Sequence, residues 1–174
     1  RRLVRPFAAA DGASGSMMTV NWVLGETTDV VATMALNILG YILLGTPGSP
    51  LRKALIESGL GEDITGGGLE GELRQILFSV GLKGVAAGTE DAVEALILET
   101  LKGLATDRID PKAVEAALNT IEFGLRENNT GSYPRGLVLM LRAMTTWLYD
   151  GDPLVLLSFE SILSEIRGRI ATEK

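Results

Sequence analysis

Gln75-Ile76-Leu77-Phe78-Ser79-Val80-Gly81-Leu82-Lys83 sets Ile76, Phe78, Val80 and Leu82 on alternate positions. Successive side chains of a strand point to opposite faces, so the run predicts a strand with one buried face. Upstream, Asp63 to Thr65 predicts a shorter partner strand. The glycines between and within the two allow bulges and close backbone approach. Thr19 to Leu24 repeats the alternation, with Val20, Trp22 and Leu24 on one face. Leu3 to Phe7 is a short apolar run that reads as a further strand, followed by an Ala/Gly/Ser loop through Ser16.

Helices fill the remainder. Thr28 is the expected N-cap of an apolar helix reaching Leu44, with Asp29 favourable to the first-turn dipole. Val30 to Leu44 falls short of the roughly 20 residues that span a bilayer, so it predicts a helix buried on all sides. Gly45-Thr46-Pro47-Gly48 stops it, and Ser49-Pro50 starts a second helix that Gly59 ends. After Gly88 the chain reads as helical. Thr89 caps a helix with the face Val93, Leu96, Ile97, Leu101 and Leu104. Asp110-Pro111 starts another with Val114, Leu118, Ile121 and Leu125. Leu137, Met140, Leu141, Met144 and Leu148 mark a third, ending near Tyr149. The last helix follows Asp150-Gly151-Asp152-Pro153 and presents Leu156, Phe159, Ile162, Leu163, Ile166 and Ile170. The order β, β, α, α, β, β and four helices predicts an α+β fold, an antiparallel sheet with helices packed on one face. One domain is expected over 1–174, strand-rich with two helices over 1–88 and helical over 89–174.

The chain has 174 residues, a net charge of −6, no Cys and no His. The acidic balance argues against nucleic acid as partner, and the short Arg1, Arg2, Arg5 cluster does not reverse it. Without His the chain lacks the commonest general base and the usual zinc ligand. Carboxylates and carbonyls remain, and they suit Mg or Ca better than Zn. The start at Arg1 without Met predicts a segment of a longer protein, and no export signal is visible, which makes a cytoplasmic location the expectation.

Several motifs invite chemistry and have plainer uses. Gly66, Gly68 and Gly71 match G-x-G-x-x-G, with Glu90 or Asp91 about 20 residues on. No strong buried strand precedes them, so a glycine-rich edge strand or bulge is the better account than dinucleotide binding. Ser49 and Ser58 with Lys53 suggest a Ser/Lys pair, but Ser49 serves as a helix cap and Ser58 sits beside a helix stop. Glu62-Asp63 reads as a turn, and Glu90-Asp91-Glu94 as a helix N-terminus. Met140, Met144 and Trp147 read as core, and Asn128-Asn129-Thr130 matches a glycosylation sequon.

Gly48-Ser49-Pro50-Leu51, followed by Ala54-Leu55-Ile56-Glu57-Ser58-Gly59-Leu60-Gly61, resembles a stretch of the presequence-protease branch of the pitrilysin/insulinase zinc metallopeptidases. So do Phe78-Ser79-Val80-Gly81-Leu82-Lys83-Gly84-Val85 and Gly151-Asp152-Pro153 after a Trp-containing helix. The resemblance runs from about Leu3 to Ile170. It implies four related α+β domains in two halves closing around a chamber, with zinc held in the first domain by H-x-x-E-H and a distal Glu. This sequence is similar to the second domain of the first half, a truncated metallopeptidase-like α/β roll continuing past Lys174. No catalytic residue, metal or cofactor is then expected in this segment, zinc belonging to another domain of the parent.

The resemblance further implies that the domain supplies chamber wall, and that an edge strand and turn grip the end of an unstructured peptide by strand addition. The matching positions are Ile64, Thr65, Gly66, Gly67 and Gly68, with Gly45, Gly48 and Ser49 nearby. The run of three glycines departs from the family pattern. Expected partners are the remaining domains of the same chain and a peptide substrate, with no nucleic acid and no membrane. Exposed faces would also promote self-association of the fragment. The alternative reading is a free-standing protein- or small-ligand-binding module without catalysis.

Overall fold

A computed structural model describes residues 1–8 and 15–172. Its sheet has three antiparallel strands: β1 (Ser16–Glu26), β2 (Asp63–Glu70) and β3 (Gln75–Val85), in the order β1-β3-β2. Six helices accompany it: α1 (Val30–Leu44), α2 (Pro50–Glu57), α3 (Glu90–Asp107), α4 (Pro111–Glu127), α5 (Arg135–Trp147) and α6 (Phe159–Thr172). A 3-10 turn, Val155–Leu157, precedes α6, so the final helix starts later than the sequence predicts.

The alternation in β3 is the organising feature. Ile76, Phe78, Val80 and Leu82 are buried, with Leu51 and Leu55 of α2 and Val93 and Ile97 of α3. Most of these form one apolar cluster with Leu43 of α1, joined by half-buried Met18, Val20, Trp22 and Leu24 of β1. Trp22 and Phe78, partners across the β1–β3 ladder, have ring centroids 5.8 Å apart. A second cluster joins Ile38 and Ile42 of α1 to Ala117 and Leu118 of α4 and Ile162, Leu163 and Ile166 of α6. Because α1 serves both clusters, it couples the sheet layer to the outer helices.

Four local readings are corrected. Leu3 to Phe7 forms no strand. No strand pairs with it, Leu3, Val4 and Phe7 are exposed, and Arg2 fastens the segment to Asp91 and Glu94 of α3 instead. The N-cap of α1 is Asp29, whose Oδ1 accepts from the Ala32 amide at 3.0 Å, rather than Thr28. Neither is α1 buried on all sides: Ala35, Asn37 and Leu39 face solvent between its two packed stripes. Finally, Met140 and Trp147 are not core; they are 50% and 65% exposed. The α5 stripe has the helical period but stays largely exposed, the helix being held by the 3-10 turn, by Thr27 Oγ1 donating to the Thr145 carbonyl at 3.5 Å and by the anchor at Thr146. Thr146 is buried and donates to the Asp152 carbonyl at 2.9 Å. No described helix is long and apolar enough to cross a membrane.

Candidate strand-edge site

β2 pairs on one side only, with β3, which leaves its other side as a sheet edge. It runs straight through the glycine cluster to Glu70, five residues beyond the predicted Asp63 to Thr65. The register slips between Thr65 and Gly68, a bulge placed by the glycines. Gly66 has φ +97° and Gly68 φ +68°. A Cβ on Gly66 would lie 2.6 Å from the Ser79 carbonyl oxygen, so only glycine lets the bulged backbone lie this close to β3. A Cβ on Gly67 would overlap the Glu70 carboxylate, a side chain free to move aside. Gly66 and Gly67 are exposed, while Ile64, Thr65 and Gly68 are half-buried, Ile64 packing into the sheet cluster.

The structure brings the second predicted group alongside. At the C-terminal end of α1, the Leu44 side chain comes within 3.9 Å of the Cβ position of Gly68, and the Cβ position of Gly40 is 3.6 Å from Leu69. Gly45 follows as the C-cap of α1 and donates its amide to the Tyr41 carbonyl. Ser49, at the N-cap of α2, is buried but makes no side-chain cap. Its Oγ accepts from the Thr46 amide at 3.0 Å, meets Thr46 Oγ1 at 3.1 Å and reaches the Tyr41 carbonyl at 3.4 Å. Ser49 therefore closes the α1–α2 turn on itself, and exposed Gly48 is left at the surface of that turn.

The charges around this edge are acidic. Asp63 Oδ1 accepts from the Ile64 amide at 2.8 Å, and Lys83 approaches the carboxylate at 3.2 Å. Together they hold its carboxyl below the usual carboxylate range, the backbone hydrogen bond contributing most. Among the described residues, Glu62, Glu70 and Glu72 have no ion-pair partner. An extended segment meeting the edge thus encounters strand backbone and the exposed carboxylates of Glu62 and Glu70. The sequence reading misses Leu44, Leu69, Glu62 and Glu70 as parts of this surface. Helical spacing alone cannot show that the end of α1 abuts the bulge.

Other candidates do not assemble. Gly66, Gly68 and Gly71 lie in β2 and the turn after it, and no helix N-terminus follows to receive a phosphate. Ser58 Oγ donates to the Leu55 carbonyl and accepts from the Leu60 amide, while Lys53 lies 3.8 Å from Glu57. Ser49 and Ser58 are thus engaged in helix-end bonds and not poised as nucleophiles. Glu90 receives the Gly88 amide, and Asp91 and Glu94 bind Arg2. Among the described residues no three potential metal ligands converge, and with neither His nor Cys the donor set does not fit zinc.

The described residues define an α+β domain whose three-stranded sheet has β2 at one edge. The family model described as the peptidase M16 inactive domain matches residues 6–121. Presequence protease 1, chloroplastic/mitochondrial, of Arabidopsis thaliana is 49% identical over 176 residues, covering 99% of this chain and 16% of that protein. Protein HypA of Clostridium perfringens is 37% identical over 157 residues, 90% of this chain and again 16% of the relative. A solved structure from Bordetella pertussis Tohama I, assigned as a zinc protease, superposes with a TM-score of 0.65 at 16% identity, over 91% of this chain and 83% of that one. At that identity the likeness concerns the fold. The chain belongs to the peptidase M16 family, as an inactive-domain member homologous to the presequence proteases. It spans 16% of the length of these two curated relatives.

Proposed function

We propose that residues 1–174 act as one non-catalytic domain of a zinc-dependent peptidase that degrades unstructured peptides, and that the β2 edge with the α1–α2 turn anchors an extended peptide end. The carrying observation is the exposed, glycine-bulged edge of β2, set between carboxylates without ion-pair partners, in a chain of the M16 family. Zinc, held by another domain, would supply Lewis-acid activation of water there. The residues of this chain would bind and orient. Strand addition supplies backbone hydrogen bonds that are indifferent to substrate sequence, which suits a peptidase acting on varied chains. The carboxylates favour a peptide that presents a free ammonium or basic residues. The rest of the domain would form chamber wall, with the other domains of the parent as its partners.

An NMR titration of the isotopically labelled chain with a short cationic peptide tests the anchor. Shifts should concentrate in Asp63–Glu70 and Gly45–Ser49 and weaken when the peptide is N-acetylated. Perturbations confined to other surfaces would remove the β2 edge from the reading. Peptide cleavage by the pure chain in added zinc would refute the non-catalytic assignment.

A further inference from the structure

A cavity of about 350 Å³ lies where α4, α5, the 3-10 turn and the start of α6 meet. That is the size of a small-ligand cleft. Leu125, Leu139, Leu157 and Phe159 supply apolar wall, each of them half-buried. Arg126 forms one side and is already engaged. Its Nε and Nη2 donate to Glu122 at 3.0 and 2.7 Å, and its guanidinium stands 5.7 Å from the centre of the Phe159 ring. Two further charged side chains line the cavity, half-buried Arg142 of α5 and exposed Glu160 of α6. Neither has an ion-pair partner among the described residues, and they do not pair with each other.

This combination selects its guest by charge. A simple anion would meet Arg142 but also the Glu160 carboxylate, and a simple cation would meet the reverse. A wholly apolar ligand would strip water from both charges and return nothing. A ligand that carries one charge of each sign satisfies both. A guanidinium takes a carboxylate through two parallel N–H donors, and a carboxylate takes an ammonium through charge-assisted hydrogen bonds. The place of Glu160 in the first turn of α6 favours an acidic residue there, but it supplies no partner for Arg142. Asn128, held in the left-handed conformation at the end of α4, adds a neutral amide to the lining.

We propose that this cavity binds a small zwitterion with an apolar side chain, a free amino acid or a dipeptide, whose carboxylate pairs with Arg142, whose ammonium pairs with Glu160 and whose side chain lies on the leucine and phenylalanine wall. None of the lining residues belongs to β2 or to the α1–α2 turn, so this proposal and the peptide anchor stand or fall separately.

The test is an NMR titration of the isotopically labelled 174-residue chain with four probes: leucine, the dipeptide Leu-Leu, leucinamide without the carboxylate and N-acetyl-leucine without the ammonium. Leucine or Leu-Leu should give saturable shifts at Asn128, Leu139 and Leu157 to Glu160, and the tighter of the two tells a free amino acid from a dipeptide. Both blocked probes should bind more weakly. Losing one charged hydrogen-bonded contact should weaken the zwitterion by about tenfold or more. R142Q should do so while leaving leucinamide unaffected, and E160Q should do so while leaving N-acetyl-leucine unaffected. That crossed pattern is beyond the reach of a general loss of packing, which would weaken every probe alike. The proposal is overturned by the absence of saturable shifts at these residues up to the solubility limit of both zwitterions. It is equally overturned if the blocked probes bind as well as leucine, or if both variants weaken all four probes to the same extent.

Discussion

Replacing Gly66 and Gly68 separately with alanine isolates what the β2 bulge demands of its backbone. Both glycines have positive φ, +97° and +68°, where an L-residue is disfavoured by about 1–2 kcal/mol. Alanine also restricts the unfolded chain, offsetting about 0.4–1 kcal/mol of that cost at either site. The unfolded-chain offset is common to both, while the backbone cost is greater at Gly66, because φ +97° lies beyond the left-handed well that holds Gly68. The surroundings differ as well. At Gly66 the new Cβ would lie 2.6 Å from the Ser79 carbonyl oxygen and 2.9 Å from the Val80 Cα, both backbone atoms of β3. At Gly68 the nearest atom is Leu44 Cδ1, at an ordinary 3.9 Å. Forcing atoms into occupied space costs about 1–3 kcal/mol, so Gly66→Ala should destabilise by about 2 kcal/mol more than Gly68→Ala. With a urea m-value of about 2 kcal/mol/M, the midpoints should differ by about 1 M. Trp22, in tilted ring contact with Phe78 of β3, provides a fluorescence reporter of the sheet. Equal midpoints for the two variants would refute the close approach of the bulge to β3.

Three further outcomes are expected. Leu55→Ala removes a fully buried side chain of the sheet cluster and should cost about 2–5 kcal/mol in chemical denaturation, while Ile56→Ala, on the exposed side of the same helix, should cost less than about 1 kcal/mol. Met140→Gln and Trp147→Gln should each change stability by less than about 0.5 kcal/mol, whereas Thr146→Val leaves the Asp152 carbonyl without its donor and should cost about 1–3 kcal/mol by thermal melting. The carboxyls of Asp63 and Glu122 both lie below their ordinary range, the first through the Ile64 amide and then Lys83, the second through Arg126 and then Arg167. Their stabilisation is therefore present above the unfolded-state carboxylate range and lost as pH falls through the lower folded values. D63N and E122Q should flatten that acid limb in a pH series of melts, and a limb unchanged in the double variant would contradict the assignment.

The strands are legible in the sequence wherever side chains report burial. Ile76 to Leu82 and Val20 to Leu24 announce their faces because alternation of apolar and other residues is the physical signature of a half-buried strand. β2 is foreshortened in the sequence reading for the converse reason: Gly66 to Gly68 have no side chains to alternate, and their pairing with β3 depends on backbone geometry that the sequence only permits. The α5 helix shows the limit of periodicity from another side. Met140, Met144 and Trp147 keep helical spacing and so read as a packed face, but spacing records that a face is apolar and not what covers it. Leu3 to Phe7 misleads similarly, since a strand exists only through a partner, and Arg2 holds that segment to α3 instead.

The same distinction bears on the two edges of the sheet. An edge that must release its guest is better served by few hydrogen bonds, an interrupted register and charges at its ends, because a long perfect ladder would hold a peptide too well and would also accept other copies of the chain. β2 has these properties: its bulge breaks the ladder between Thr65 and Gly68, and carboxylates stand at Asp63 and Glu70. β1 differs, with an uninterrupted ladder to β3 from Met17 to Val23 and no charged residue between Ser16 and Gly25. The glycine run that interrupts β2 is therefore consistent with transient peptide binding. A cationic peptide that perturbed β1 and left Asp63–Glu70 unchanged would contradict the anchor proposed for β2.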